Sequence, residues 1–483
     1  MSGLAAHHYA WKAGLSSVLL EGSRRLGGWI DDHRDAATGD LYSSGPRSLR
    51  TADPGPETLG LAETLGLAES LVWADKMSGR RLLLRDSRVT PLPSSLRGLF
   101  SSPLLRPALR ELLREPFVAR PLNPSADESV HAFFSRRFGP HTAEVLAGAL
   151  VQGIFATDPR KISLRSCFPP LHIYEQTHGS IIRGVLSSLL SRPRPASHQI
   201  PTSANAKPLS SSFSTLKKPY PSPLFSFRGG LSDLVAALAA STPADSLWKG
   251  CKPQRIDVAP DGRGVTVWLE DGSHQRAERL ISAIPLHSLI ACTPALYDCQ
   301  AGPVPRYTSV AVVNLCFRPD ASSSSPLLSQ EHRGFGYLVP PPEQDPLLGV
   351  IYDSYTFREH QRDAPEQALR VTVMMGGDPQ LHPNSLDVKD VAKHSDEQLV
   401  RIALQRLQQH LPSLRGLQPS YVHFKRCIDC IPCYDVGHQQ RLDAFEQLIS
   451  ERRLPISLVG NLWGVGVNNC IDRSQQIVRR LTS

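Results

Sequence analysis

The first thirty residues constrain this chain more than any other stretch. Ser2-Gly3-Leu4-Ala5-Ala6 opens a helix that runs toward Lys12-Ala13-Gly14. A short apolar strand, Val18-Leu19-Leu20, follows and ends in Glu21 and Gly22. Free N–H groups and the dipole at a helix N-terminus favour a phosphate. An acidic residue at the end of the next strand, roughly 20 residues past the glycine loop, takes the ribose hydroxyls. Ser2-Gly3 and Glu21 stand in that relation, so the segment reads as the second half of a nucleotide-binding β–α–β unit. The full fingerprint also carries a preceding strand and two earlier glycines.

After Glu21 comes Arg24-Arg25-Leu26-Gly27-Gly28-Trp29. It resembles the E-x-x-x-R-x-G-G signature of flavoproteins of the amine-oxidase and desaturase superfamily, in which adenosine and flavin lie against that loop. Ser44-Gly45-Pro46-Arg47-Ser48 is a Gly-Pro turn whose arginine either faces a phosphate or an anionic substrate or stays in solvent. Near the C-terminus the strand end Leu458-Val459-Gly460 leads into Asn461-Leu462-Trp463-Gly464-Val465-Gly466-Val467-Asn468-Asn469-Cys470-Ile471 and a polar helix. A plain strand–helix connection does not need those glycines, whereas a loop cradling a phosphate or a ring does.

At 483 residues the chain can bury sizeable cores in two or three domains. Its net charge of +8 is spread over scattered charges of both signs. No block of Lys and Arg interleaved with aromatics occurs, so nucleic acid is not an expected partner. No apolar run reaches the roughly 18 residues that span a bilayer. The N-terminus resembles neither a secretory signal nor a transit peptide, because it already carries fold signals. Nine cysteines without framework spacing point to free thiols in a reducing setting. Cys427-x-x-Cys430-x-x-Cys433, with His438 nearby, lacks the fourth ligand of a zinc or iron–sulfur site. No metal is expected, and these thiols read as strand and loop residues.

Along the chain, 57–72 reads as an amphipathic helix and Arg80–Leu84 as a strand. Between Leu92 and Arg120, leucines and Phe100 and Phe117 alternate with Arg97, Arg106, Arg110, Arg114 and Arg120. That texture suits short helices lying on a bilayer interface, or a lid packing on its own domain. A second helical region runs from Val130 to Leu190. Residues 191–224, rich in Pro, Ser and Lys, read as a disordered linker. A hairpin over Gly264–Leu269 turns at Asp271-Gly272. Apolar strands are expected at Leu280–Ile284, Val310–Leu315, Gly349–Tyr352 and Leu369–Met375, and Tyr421-Val422-His423-Phe424 alternates like a strand. A helix over Asp396–Leu411 is capped by Ser395, with Gln398 three residues on.

Taken together, the ordered matches are similar to the protoporphyrinogen oxidase family of flavoenzymes. They are Glu21 with Arg25–Ile30, Gly45–Arg47, Ser163–Phe168, Glu175–His178, Phe227–Leu231, Ile281–Pro285, Gly334–Pro340 and Gly464–Ile471. The resemblance implies an α/β (α+β) fold with a Rossmann-like FAD domain at 1–80, 225–290 and 436–483. A mixed-sheet substrate domain would take 81–91 and 291–435, and a helical membrane-binding domain 92–190. It implies FAD-dependent oxidation of protoporphyrinogen IX to protoporphyrin IX in haem biosynthesis, with oxygen consumed and hydrogen peroxide released. It also implies a homodimer, peripheral on the intermembrane-space side of the mitochondrial inner membrane. The flavin supplies the redox chemistry, so no catalytic side chain is expected.

By residue, the resemblance sets FAD against Ser2, Gly3, Glu21, Gly22, Trp29, Gly45, Pro46, Arg47, Ser48, Pro253 (where the family has a valine), Asn461, Val465, Gly466 and Val467. Arg81 matches an arginine that pairs with a propionate, Phe335 and Leu338 an apolar pair about the macrocycle, and Gly153 the wall near the flavin. Gln152 stands where the family has an arginine, and 191–224 replaces a shorter loop and a helix. The absent first strand leads to the expectation of a truncated isoform or an incomplete gene reading, with exposed strand edges and weak FAD binding. The alternatives are such an impaired isoform, or another FAD oxidase or desaturase acting on amines or carotenoids.

Overall fold

The computed structural model describes residues 1–93, 106–120, 126–190, 219–297, 304–319, 326–363, 367–378 and 390–482. The Ser2–Lys12 helix buries Leu4, Ala5, Ala6 and Ala10. It packs along the C-terminal Val467–Thr482 helix, and the Ser474 hydroxyl donates to the Ser2 carbonyl at 2.9 Å. Small residues on the first helix allow that close approach. The beginning and the end of the described chain thus share one layer.

Leu19–Glu21 pairs in parallel with Leu247–Lys249, and Leu280–Ser282 pairs in parallel with Ile456–Leu458. Each is a two-stranded sheet among the described residues. Gly3 lies between them: a Cβ there would stand 3.3 Å from both Ala283 Cβ and Leu19 Cδ1. The hairpin forms as expected, with Val265–Leu269 paired to His274–Ala277 and Gly272 at φ +83° in the turn.

A seven-stranded sheet is the largest element. Its order is Tyr421–Pro432, Tyr307–Phe317, Leu369–Gly376, Leu347–Ile351, Gly336–Leu338, Leu82–Arg85 and Arg88–Pro91. All neighbours are antiparallel except Gly336–Leu338 with Leu82–Arg85, which makes the sheet mixed. Ala311, Val313, Leu315, Val371 and Val373 form its core with Leu399, Ala403 and Leu407 of the Asp396–His410 helix. That helix begins in the expected capping box, in which Ser395 accepts from Gln398 N–H and the Gln398 side chain accepts from Ser395 N–H. Both signals lie within one turn, so they are legible locally.

A helical layer covers 130–190. Its anchor is Arg137, fully buried, with Nη1 on Glu115 at 3.1 Å and Nε on Glu175 at 2.8 Å. Glu115 also accepts the Ile181 N–H at 2.8 Å. Buried charges of this kind are tolerable only when each is paired and hydrogen-bonded.

Two expectations need correction. The 57–72 helix ends at Thr64, where Gly66 takes φ +75°, and Leu71–Trp73 instead pairs with Leu224–Phe227. The end of the segment expected as a linker over 191–224 is ordered. Its residues 191–218 lie outside the described residues, but Tyr220 stacks on Trp73 with centroids 6.0 Å apart. Thr51 N–H then bonds the Pro223 carbonyl at 3.0 Å. One aromatic contact and a backbone pairing order those last residues. Of the basic, leucine-rich stretch, 94–105 lies outside the described residues, and Arg106–Arg114 is helical as expected.

Candidate active site

The nucleotide-type cleft gathers at the first helix. Met1, at its N-cap, makes no side-chain cap hydrogen bond, so the N–H groups of the first turn at Ser2 and Gly3 receive no side-chain acceptor. Glu21 Oε1 accepts Ser23 N–H at 2.9 Å, which aims the carboxylate back over the strand end. A Cβ on Gly22 would stand 3.7 Å from Lys252, next to Pro253, which opens the Pro253–Val258 strand.

Arg25 is a holding residue. Its Nη1 donates to Ile30 O and its Nη2 to Gly28 O, each at 2.6 Å, which shapes the Gly27–Ile30 turn. Gly45 is required by that turn, because any Cβ there would collide with the Trp29 carbonyl. Pro46, Arg47 and Ser48 continue into Leu49–Arg50, and Ser226 Oγ donates to the Arg47 carbonyl at 2.8 Å.

The Arg47 side chain takes neither orientation read from local sequence. It is buried, with Nη1 on Asp353 at 2.5 Å and Thr372 at 2.8 Å and Nη2 on Ser43 O at 3.1 Å. Its charge is spent inside the protein. Asp353 and Thr372 lie more than 300 residues away in the chain, so no local signal could have found them.

On the other side stands the loop from Ile456–Leu458 to the Val467–Thr482 helix. Tyr434 Oη donates to the Asn461 carbonyl and His438 Nε2 bonds the Leu462 carbonyl at 2.9 Å. His438, read beside the cysteines in the sequence, is therefore a loop-positioning group. Burial pulls its imidazole pKa below the usual range, against the opposing hydrogen bond to Leu462. Val465, Gly466 and Val467 lead into the helix, and a Cβ on Gly466 would stand 2.9 Å from Asn469 Oδ1. Two adjoining helix N-termini, a strand-end carboxylate and a glycine-bearing loop make a donor and acceptor set suited to a dinucleotide: amides for pyrophosphate, Glu21 for ribose.

The second cleft is built on the parallel pair in the large sheet. Tyr337 pairs with Leu82 and Leu338 with Leu83, a register that sets Arg81 beside Phe335. The Arg81 guanidinium lies 4.6 Å from the Phe335 ring centroid, and Nη1 donates to Ser78 O at 2.5 Å. Arg81 is exposed and pairs with no carboxylate among the described residues. Leu338 packs so tightly on Gly153 that a Cβ there would collide with Leu338 Cδ2. Gly153 belongs to the Gly148–Phe155 helix, between buried Gln152 and partly exposed Ile154. Arg81 with Phe335 and Leu338 with Gly153 are thus two contacts drawn from three distant segments and joined by the same strand pairing.

The sequence profile of flavin-containing amine oxidoreductases matches residues 1–461, and the chain belongs to that family. Within it, the chain groups with the protoporphyrinogen oxidases. It is 35% identical to the protoporphyrinogen oxidase of Homo sapiens, over 99% of this chain and 95% of that protein. Against the protoporphyrinogen oxidase of Dictyostelium discoideum it is 27% identical, over 100% of this chain and 97% of that protein. Among solved structures, reduced UDP-galactopyranose mutase superposes with a TM-score of 0.67 at 15% identity, over 99% of this chain and 93% of that one. Cyclohexylamine oxidase from Brevibacterium oxydans superposes at 0.63 and 14% identity, over 100% and 96%. These likenesses establish the flavoenzyme fold.

Proposed function

We propose that this chain is an FAD-dependent oxidoreductase that oxidises protoporphyrinogen IX to protoporphyrin IX in haem biosynthesis, with oxygen as the terminal acceptor. The observation that carries the substrate assignment is Arg81: a cation without a carboxylate partner among the described residues, laid on Phe335 at the edge of an apolar wall. A flat, apolar macrocycle bearing propionates suits that pairing, since a guanidinium grips a carboxylate bidentately. A cationic amine would meet repulsion there.

FAD held in that cleft would supply the hydride acceptor and the route of electrons to oxygen, with hydrogen peroxide as the by-product. The residues of this chain bind and orient. Ser2, Gly3, Gly466 and Val467 offer helix N-termini to the pyrophosphate, and Glu21 takes the ribose hydroxyls. Gly22, Trp29, Gly45, Pro46, Ser48, Pro253, Asn461 and Val465 line the path of the cofactor, with Arg47 holding the Gly45–Ser48 turn from inside. Arg81 anchors a propionate, Phe335 and Leu338 flank the ring, and the lack of a side chain at Gly153 leaves room beside Leu338.

The domain division, with 81–91 and 291–435 for the substrate, 1–80, 225–290 and 436–483 for the cofactor and 92–190 for the helical part, follows from the same reading. So does peripheral binding to the mitochondrial inner membrane, on its intermembrane-space side, as a homodimer. For the membrane, support comes from Leu113 and Phe117, 70% and 83% exposed, with Ile173, Val185 and Leu186 also exposed. The Glu115–Phe117 turn packs on the Ile181–Leu190 helix, and Arg114, Arg120 and Arg183 are exposed nearby. No helix among the described residues is long and apolar enough to cross a membrane. Replacing Leu113 and Phe117 by serine is expected to release the protein from anionic vesicles in a flotation assay.

The deciding experiment purifies the full chain with FAD, removes free cofactor, records the flavin spectrum and follows porphyrin fluorescence after adding protoporphyrinogen IX in air. Bound flavin with oxygen-dependent porphyrin formation is expected. Flavin-loaded protein that forms no porphyrin above the spontaneous rate would overturn the substrate assignment.

A further inference from the structure

Strand residues three apart point to opposite faces of a sheet. Cys427 and Cys430 both lie on Tyr421–Pro432, yet both are buried in one apolar cluster with Ala156, Val310, Val312 and Leu348. The pairing explains this. Cys427 faces Val310 and Ile431 faces Thr308, so residues 428–430 stand opposite Ser309 alone. Asp429 takes φ +48°, and its N–H bonds Ser309 Oγ at 2.9 Å, which fixes the bulge. Such bulges re-aim side chains, and this one brings both thiols onto one buried face, where Cys430 Sγ also donates to the Thr308 carbonyl at 3.5 Å.

The surroundings suit thiol chemistry. The neighbouring Cys430 thiol pulls the Cys427 thiol below its ordinary pKa against the opposing effect of burial, with help from Lys425, while Cys430 itself is pushed up and stays the protonated partner. The thiolate is the reactive form. Ile428, at the bulge tip, is 42% exposed, so the pair lies just under the surface. Ala156 of the same cluster caps the helix that carries Gly153, which places the pair behind the wall of the substrate cleft. Cys433 sits apart, beside Thr157 and Arg306.

We propose that Cys427 and Cys430 form a dithiol that hydrogen peroxide oxidises to a disulfide within the strand bulge. The Cys427 thiolate attacks one peroxide oxygen, the O–O bond breaks, and hydroxide leaves and takes a proton to become water. The resulting sulfenic acid condenses with the Cys430 thiol, the S–S bond forms, and a second water departs. Two thiols lose two electrons and two protons, and one peroxide becomes two waters. That the peroxide comes from this enzyme's own turnover rests on the function proposed above, whereas the dithiol chemistry does not.

The test uses the full chain loaded with FAD, freed of reductant and treated with hydrogen peroxide. It is then unfolded in an alkylating agent and mapped by mass spectrometry. The expected result is loss of alkylation at Cys427 and Cys430 together, reversed by dithiothreitol and retained in Cys433→Ser. In Cys430→Ser, Cys427 is expected to stop at the sulfenic acid, which dimedone traps. Full alkylation of both thiols after peroxide, or a bridge that needs Cys433, would overturn the proposal. A disulfide that forms with added peroxide in protein making no porphyrin would uphold the dithiol and sink the functional reading.

Discussion

Arg47 and Arg81 each stand beside a glycine turn, and each belongs to a different cleft. Arg47, in the nucleotide-type cleft, turns inward to Asp353 and Thr372 and is nearly dry. Arg81, in the apolar cleft, turns outward, holds one backbone carbonyl and lies over Phe335. The difference separates two uses of one side chain. A buried guanidinium with a paired carboxylate carries stability, because removing either partner strands a charge. An exposed one with a spare edge carries recognition, because its partner arrives with the ligand.

The largest effect should follow Arg47→Ala, which leaves the Asp353 carboxylate without its cation. A loss of about 3–5 kcal/mol is expected in denaturant unfolding, together with reduced flavin content. Unchanged stability would break the contrast at once. Arg81→Ala should do the opposite, with stability within about 0.5 kcal/mol of wild type and KM for protoporphyrinogen IX raised roughly tenfold, equivalent to about 1.4 kcal/mol. Arg81→Lys should recover only part of that, since a single ammonium lacks the bidentate fork.

Gly153→Ala sharpens the description of the second cleft. The added methyl must displace Leu338, at a cost of about 1–2 kcal/mol for local overpacking, so KM rises while the flavin spectrum stays as in wild type. A changed spectrum with unchanged KM would move Gly153 to the other cleft.

Acid offers the mildest probe. His360 is buried, bonds the Phe227 carbonyl at 2.7 Å, and burial pushes its pKa down to about 4. The unfolded chain takes that proton near pH 6.5. The contribution of His360 is therefore fully present above that pH and lost as pH falls toward 4. His360→Gln should flatten the acid limb of the stability–pH curve and leave the Arg81-dependent KM unmoved.

Legibility in the sequence tracked the range of the interaction. The Ser395 cap, the hairpin turn at Gly272 and the relation of Ser2-Gly3 to Glu21 all act within a few turns of chain, and each stands where the residues place it. Arg81, Gly153, Phe335 and Leu338 were named through resemblance, but the approach of Arg81 to Phe335 depends on a parallel register between strands more than 250 residues apart. The helix expected over 57–72 failed at Gly66, because tertiary pairing with Leu224–Phe227 outweighed the leucine period of its second half.

The sequence alone determined the class of this protein. A helix N-terminus, a strand-end acid and a glycine loop are local devices whose chemistry is written in residue type and spacing. Only the tertiary structure decided where each charge and thiol is spent. It sent Arg47 to Asp353, laid Arg81 over Phe335 without a carboxylate partner among the described residues, and brought Cys427 and Cys430 onto one buried face through a bulge opposite Ser309. Those outcomes depend on desolvation and on partners remote in sequence, and neither is encoded in any short window of the chain.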